Sequence, residues 1–159
     1  MRPLRVYVDT SIFGGKFEIE HAKETKRFLK RVDAGQFRLV VSDQVDTEIA
    51  PSPPDVQQLY KTMMATMERL APSPETKILA DHYIAHRVLT EKYRSDATHI
   101  AYATIYKCDG IISWNFDHMV DLNRSIRYNM INAENGHAQL FLASPREVEE
   151  HENTRTVLL

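Results

Sequence analysis

The stretch Leu4-Arg5-Val6-Tyr7-Val8-Asp9-Thr10-Ser11 decides the fold. Its first part, Leu4 to Val8, is short, largely apolar and rich in β-branched residues. A run of this kind without regular polar alternation is typical of a strand buried on both faces, as in a parallel sheet. Because the run ends abruptly at Asp9, the sequence predicts a carboxylate directly at the end of a buried strand.

Outward from this stretch, helical and strand-like segments alternate along the chain. The predicted helices span Ile19 to Ala34, Ser42 to Ile49, Asp55 to Leu70, Glu75 to Thr90 and Asp96 to Lys107, with short helices from Phe116 and after Pro145. The further predicted strands are Phe37 to Val41, Gly110 to Ser113 and Gln139 to Leu142. This alternation predicts an α/β protein with three α/β/α layers around a central parallel sheet.

Length and composition indicate one domain. The chain has 159 residues, 43% of them hydrophobic and 26% charged, which suits a single core over residues 1–150. We expect the charged segment 151–159 to be a disordered tail or a partner contact. The single cysteine, Cys108, excludes an internal disulfide and a cysteine-rich zinc site. No secretory signal or run of membrane-spanning length is evident, so we expect a cytoplasmic protein with no membrane association.

Three acidic residues fall where the predicted architecture would bring them together. Asp9 ends the first strand, Glu48 lies on the helix after the second strand, and Asp96 opens a later helix. Each has an ordinary explanation taken alone: a turn or helix cap for Asp9 and Asp96, and a solvated helix face for Glu48. Clustered carboxylates, however, repel one another unless a hard cation is present, and Mg²⁺ and Mn²⁺ prefer such oxygen ligands. The sequence therefore predicts a divalent-metal site able to support phosphodiester hydrolysis.

Four segments in order along the chain resemble the PIN-domain family, in particular VapC-like toxins of type II toxin-antitoxin systems and their relatives. They are Val6-Tyr7-Val8-Asp9-Thr10-Ser11, Val45-Asp46-Thr47-Glu48-Ile49, Ser95-Asp96-Ala97-Thr98-His99-Ile100-Ala101 and Ile111-Ile112-Ser113-Trp114-Asn115-Phe116. The resemblance implies a Mg²⁺- or Mn²⁺-dependent endoribonuclease, an RNA substrate, an antitoxin protein as partner and a homodimer.

Carried over by position, the resemblance implies that Asp9, Glu48 and Asp96 are the first three acids of the site. The fourth position, acidic in many members, is Asn115 here, which removes one negative charge and puts the second metal in doubt. Asp117 is close in sequence and could replace the missing fourth acid, but helical geometry would direct its side chain away from the other acids.

Other residues were considered as supporting groups. Thr10 or Ser11 can support the metal shell, and His99, one turn beyond Asp96, is either a functional group or a hydrogen-bonded residue that orients a neighbour. Lys23, Arg27 and Lys30 lie in a basic stripe that could follow an RNA backbone, although such a stripe is more often a solvated face.

Two alternatives stand beside the nuclease. The substitution at Asn115 favours a catalytically weakened PIN module that binds RNA or protein without cutting. A haloacid-dehalogenase-type phosphatase also begins with a strand and an Asp, but it needs a second Asp where this chain has Ser11, so we discount it.

Overall fold

A computed structural model describes residues 2–149 of the chain. The helices are α1 (Thr10–Gly15), α2 (Ala22–Asp33), α3 (Asp43–Ile49), α4 (Pro54–Met63), α5 (Pro74–Ala85), α6 (Arg94–Ile105) and α7 (Leu122–Glu134). The strands are β1 (Leu4–Val8), β2 (Phe37–Ser42), β3 (Glu68–Leu70), β4 (Gly110–Ile112) and β5 (Phe141–Ala143). Residues 91–93 form one 3₁₀ turn, and residues 145–149 are helical.

The five strands form one sheet in the order β3-β2-β1-β4-β5, and every pair is parallel. Helix α6 packs against β1 and β4, α2 packs against β2, and α5 packs on α6. The predicted α/β/α architecture is therefore confirmed. The chain moves outward from β1 to β3 and then returns to β4 on the other side of β1. In parallel sheets the crevice at such a reversal is the usual place for a ligand.

The core explains why β1 is the central strand. Val6, Tyr7 and Val8 have no exposed surface, and Ile111 and Ile112 of β4 are equally buried. Strands covered on both faces require such continuous apolar runs. The central strand β1 thus lies in the buried centre of the sheet. Asp9, which directly follows β1, has its backbone fixed by this packing.

Several predicted helix boundaries are wrong. The helix predicted from Asp55 to Leu70 ends at Met63, because Glu68–Leu70 pairs with β2 as the edge strand β3. The helix predicted from Glu75 to Thr90 ends at Ala85, and Arg87 then adopts a left-handed φ of 58°, which a right-handed helix does not allow.

The region after β4 also differs from prediction. Instead of a short helix from Phe116, the chain makes turns at residues 116–119. Helix α7 begins only at Leu122. The Asp121 side chain caps α7 by accepting a hydrogen bond from the Arg124 backbone N–H at 3.0 Å. The predicted tail, 151–159, lies outside the described residues. Among residues 2–149, no helix is long and apolar enough to cross a membrane.

Candidate active site

Asp9 is fixed at the junction of β1 and β4. It is only 6% exposed, and its two carboxylate oxygens accept hydrogen bonds from the hydroxyls of Ser11 (2.6 Å) and Ser113 (3.0 Å). Two backbone N–H groups that follow β4 orient these hydroxyls. The N–H of Trp114 donates to the Ser11 hydroxyl and the N–H of Asn115 donates to the Ser113 hydroxyl, both at 2.9 Å. Asp9 therefore has a defined orientation at the carboxyl ends of the two strands.

Glu48 reaches the same crevice from α3. Its oxygens lie 3.0 and 2.9 Å from Nε2 of His99. The Thr10 hydroxyl donates to Oε2 at 2.8 Å, and the Gln44 side chain donates to Oε1 at 3.1 Å. Both oxygens are thus already hydrogen-bonded, so a cation that coordinates Glu48 has to compete with these neighbours.

His99 of α6 is held by a buried chain of hydroxyl groups. Its side chain is 1% exposed, and Nδ1 lies 2.6 Å from the Tyr7 hydroxyl, which is 2.7 Å from the Ser42 hydroxyl. A hydroxyl both donates and accepts. The Tyr7 hydroxyl can therefore form a hydrogen bond with Nδ1 whether or not Nδ1 carries a proton. On the other side of the ring, Nε2–H donates to Glu48.

Asp96 lies in the first turn of α6 and completes the group of acids. Its Oδ2 lies 3.2 Å from Nδ1 of His118, and the side chain of Asn115 acts to lower its pKa. The Asn115 side-chain oxygen accepts the His118 backbone N–H at 3.0 Å. The His118 ring also packs on Tyr93, with ring centroids 3.7 Å apart. Asn115 therefore lies near Asp96, through the turn that also carries His118.

The three carboxylates differ in how their charge is compensated. Burial raises the pKa of Asp9 and of Asp96, and neighbouring hydrogen bonds and histidine charges offset only part of this. Burial also acts to raise the pKa of Glu48, but the hydrogen bond and charge of His99 outweigh it and lower that pKa. Burial acts to lower the pKa of His99, whereas Glu48 and the other acids raise it above its ordinary value. The half-buried Glu48 and the buried His99 consequently each favour the charged form of the other.

Among the described residues, the three acids have no arginine or lysine partner. Within residues 2–149, no Lys or Arg forms a salt bridge with Asp9, Glu48 or Asp96. In the same range, no group of three or more His, Cys, Asp or Glu side chains is placed so that it could hold a metal ion. The donors are the oxygens that Mg²⁺ and Mn²⁺ prefer. The oxygen donors thus fit the chemistry of such an ion. In the present structure, however, Asp9 and Glu48 are hydrogen-bonded to hydroxyl groups and to His99 instead.

The structure brings most of the predicted site residues together: Asp9, Thr10, Ser11, Glu48, Asp96, His99 and Asn115. Asp117 is exposed in the turn after β4, and no contact of its carboxylate with the other acids is recorded within the described range. On the basic stripe, Lys23 and Lys30 are exposed, whereas Arg27 forms an ion pair with Glu149.

Sequence reasoning missed Tyr7, Ser42, Gln44, Ser113 and His118. Tyr7 lies in the predicted buried strand, and a buried phenol needs a hydrogen-bond partner, which was the available signal. Ser42 and Ser113 end β2 and β4, as Asp9 ends β1, so the same edge rule could have identified them. Nothing in the sequence signals His118, because a turn rather than a regular helix places it beside Asp96.

No protein-family model matches the chain, and no curated protein is significantly similar to it.

Proposed function

We propose that this protein is a metal-dependent endoribonuclease that hydrolyses RNA phosphodiester bonds. The observation that carries the proposal is a pair of carboxylates, the buried Asp9 and the half-buried Asp96, whose pKa values are raised by desolvation and with which no Lys or Arg of residues 2–149 forms a salt bridge. Retaining such groups at the carboxyl edge of the sheet costs stability, so a functional requirement is the simplest reason for them.

In this proposal Asp9, Asp96 and Glu48 hold Mg²⁺ or Mn²⁺. The bound ion would lower the pKa of a water and neutralise charge on the phosphate. Asp9 is oriented for this role by Ser11 and Ser113. These contacts leave each carboxylate oxygen of Asp9 with further acceptor capacity, because an ionised carboxylate accepts several hydrogen bonds or a cation.

The acids around His99 raise its pKa and so favour its protonated form. Its Nε2 lies within hydrogen-bond distance of both oxygens of Glu48, and in that form it would limit repulsion within the site. His118 lies beside Asp96, with its Nδ1 3.2 Å from Oδ2. The chain thus supplies carboxylate oxygens of the kind that Mg²⁺ and Mn²⁺ prefer, and binding of an ion would require them to move together from their present hydrogen bonds.

The wider biological role is also part of the proposal and rests on the resemblance. It comprises a toxin function, an antitoxin partner, a homodimer and action in the cytoplasm. RNA contact by Lys23, Arg27 and Lys30 belongs here as well, although Arg27 would first have to give up its pairing with Glu149.

The deciding experiment incubates purified protein with a mixed RNA pool in Mn²⁺ or in EDTA, beside the variant Asp9→Asn. Cleavage that requires Mn²⁺ and disappears in the variant is expected. Asparagine keeps the acceptor for one serine hydroxyl and the size of the side chain, so a folded variant isolates the charge. Equal cleavage by both proteins would point to a contaminating nuclease and reject the proposal.

A second candidate is a PIN-like module that binds RNA without cutting, and Asn115 is the observation that favours it. In the variant Asn115→Asp, a fourth acid would lie beside Asp96. Mn²⁺ should then raise the melting temperature of this variant more than that of the wild type, because the ion relieves added repulsion. A gain in cleavage of about tenfold or more, which corresponds to 1.4 kcal/mol or more, would favour the weakened module; an unchanged rate would favour an active native site.

A further inference from the structure

A cavity of about 450 Å³ opens beside the candidate active site. It is lined by Thr10 and Ser11 of α1, by the turn that follows α1, and by the start of α4. Thr10 and Ser11 are the residues whose hydroxyls contact Glu48 and Asp9. A molecule in the cavity would therefore lie next to the acids, and the volume falls within the range of small-molecule sites.

The cavity presents an aromatic ring. Phe17 lines it and is 44% exposed, with the Lys16 ammonium 5.8 Å from the centre of its ring. Pro53 and Val56 contribute further apolar surface. An exposed aromatic ring beside a nucleic-acid site is a stacking surface that an unpaired base can use, since every base has a π-face.

Two carboxylates line the same cavity. Asp55 begins α4, and Glu18 folds toward Gly14, where an added Cβ would lie 3.5 Å from its Oε1. Carboxylates repel phosphate but accept hydrogen bonds from N–H groups. Adenine, guanine and cytosine carry exocyclic amines, whereas uracil presents carbonyl oxygens on both sides of its one N–H. The two carboxylates that line the cavity would favour a base over a phosphate, and an amine-bearing base over uracil.

We infer that the cavity between α1 and α4 binds one unpaired nucleobase bearing an exocyclic amine, stacked on Phe17 and hydrogen-bonded by Glu18 and Asp55. This inference rests on the proposed function, because it makes the cavity the base-recognition site of the RNA strand that Asp9, Glu48 and Asp96 would cleave. It assigns base preference to residues outside the group of acids.

The test uses uncharged nucleosides, so that neither phosphate nor metal is required. Adenosine, guanosine, cytidine and uridine are titrated into the full-length ¹⁵N-labelled protein, and amide shifts are followed by NMR. Shifts are expected at Gly14, Phe17 and Val56, with the amine-bearing nucleosides binding more tightly than uridine. Absence of shifts at these amides at millimolar nucleoside would overturn the inference.

Variants separate stacking from general effects. Phe17→Ala should weaken nucleoside binding by about tenfold, the size of one lost base–aromatic stack, whereas Phe17→Tyr should retain it. Phe116 is a matched control, because it is also 44% exposed but does not line the cavity. Equal weakening in Phe116→Ala and Phe17→Ala would contradict the assignment.

A second set of variants tests the two carboxylates. The double variant Glu18→Gln with Asp55→Asn should reduce the preference for amine-bearing nucleosides over uridine to less than twofold. An unchanged preference would count against these carboxylates.

Failure of the inference and failure of the proposed function give different results. Nucleoside binding at Phe17 without Mn²⁺-dependent cleavage keeps the base site and rejects the nuclease. Cleavage without nucleoside binding, and with the same base preference in Phe17→Ala, keeps the nuclease and rejects the base site.

Discussion

Both ends of the parallel sheet carry acidic side chains, but their charges are compensated in different ways. At the amino ends, Asp109 pairs with Arg2 at 2.8 Å and Glu68 pairs with Arg5 at 2.5 Å. The hydrogen bond from Arg2 lowers the pKa of Asp109. At the carboxyl ends, Asp9 and Asp96 are met by hydroxyls, an amide and histidines, and their pKa values are raised.

Acidic side chains thus have a structural role at the amino ends of the strands and remain available for binding at the carboxyl ends. Arginine is a permanent cation with a fixed fork of donors, so its pairs at the amino ends are complete in the folded chain. Hydroxyls and histidines can reorient their protons or change charge, so the carboxyl ends stay able to accept another cation or substrate. The predictions below compare the two ends in order of expected effect.

The largest difference is expected between Asp9→Asn and Asp109→Asn. If the proposal is correct, Asp9→Asn should reduce Mn²⁺-dependent RNA cleavage by about a thousandfold, because several kcal/mol of charge stabilisation are lost. Its stability at pH 7 should equal or exceed that of the wild type, since an ionised carboxylate with a raised pKa opposes folding. Asp109→Asn should behave in the opposite way, with a lowered free energy of unfolding and unchanged cleavage. Chemical denaturation and a gel-based cleavage assay measure both effects.

The next difference concerns buried and exposed hydroxyls. Tyr7→Phe leaves His99 Nδ1 and the Ser42 hydroxyl without their shared partner, which should cost about 1–3 kcal/mol of the free energy of unfolding. The Tyr106 hydroxyl donates to the Ala71 carbonyl at 2.5 Å in an exposed position. Water can replace that contact, so Tyr106→Phe should cost much less. Similar losses in urea denaturation of the two variants would show that the buried chain has no special role.

A pH dependence should distinguish the Glu48–His99 pair from the arginine pairs. Because the pKa of His99 is raised in the folded state, its contribution is complete below its ordinary value of 6.5 and is lost as pH rises through the higher folded pKa. The wild type should therefore lose more stability than His99→Gln as pH rises above 6.5.

The control for this pH series is His86→Gln, which changes an exposed histidine and should keep the wild-type dependence. Thermal melts at closely spaced pH values in the absence of divalent metal give the measurement. Parallel curves for wild type and His99→Gln would contradict the ion pair.

The smallest expected effect is at the amino ends. Glu68→Gln weakens one half-buried pair with Arg5, while the Arg5 guanidinium keeps its bonds to the Tyr106 and Lys107 carbonyls. A loss of about 1 kcal/mol is expected, near the upper limit for such ion pairs. Denaturation at low and high salt should show this loss shrinking at high salt; cleavage should not change. A change in cleavage would mean that the two ends are coupled.

Much of the fold was predictable from local pattern. The apolar runs of β1 and β4 and the position of Asp9 were evident, because strands buried on both faces leave a strong signal and end at a polar residue. The edge strand β3 was not predictable, since three residues following a helical pattern carry too little information to outweigh it. Only pairing with β2 makes Glu68–Leu70 a strand.

The site shows the same division. The sequence by itself determined that Asp9 follows a buried strand, that Glu48 lies on the helix after the next strand and that Asp96 lies at the start of α6, since their placement follows from the order of the elements. Tertiary structure alone decided that Tyr7 and Ser42 hold His99 against Glu48, and that His118 faces Asp96. Those contacts join residues from different elements, over separations of 22 to 92 positions. Their partners depend on how β1, β2, α3 and α6 pack together, which no local pattern encodes.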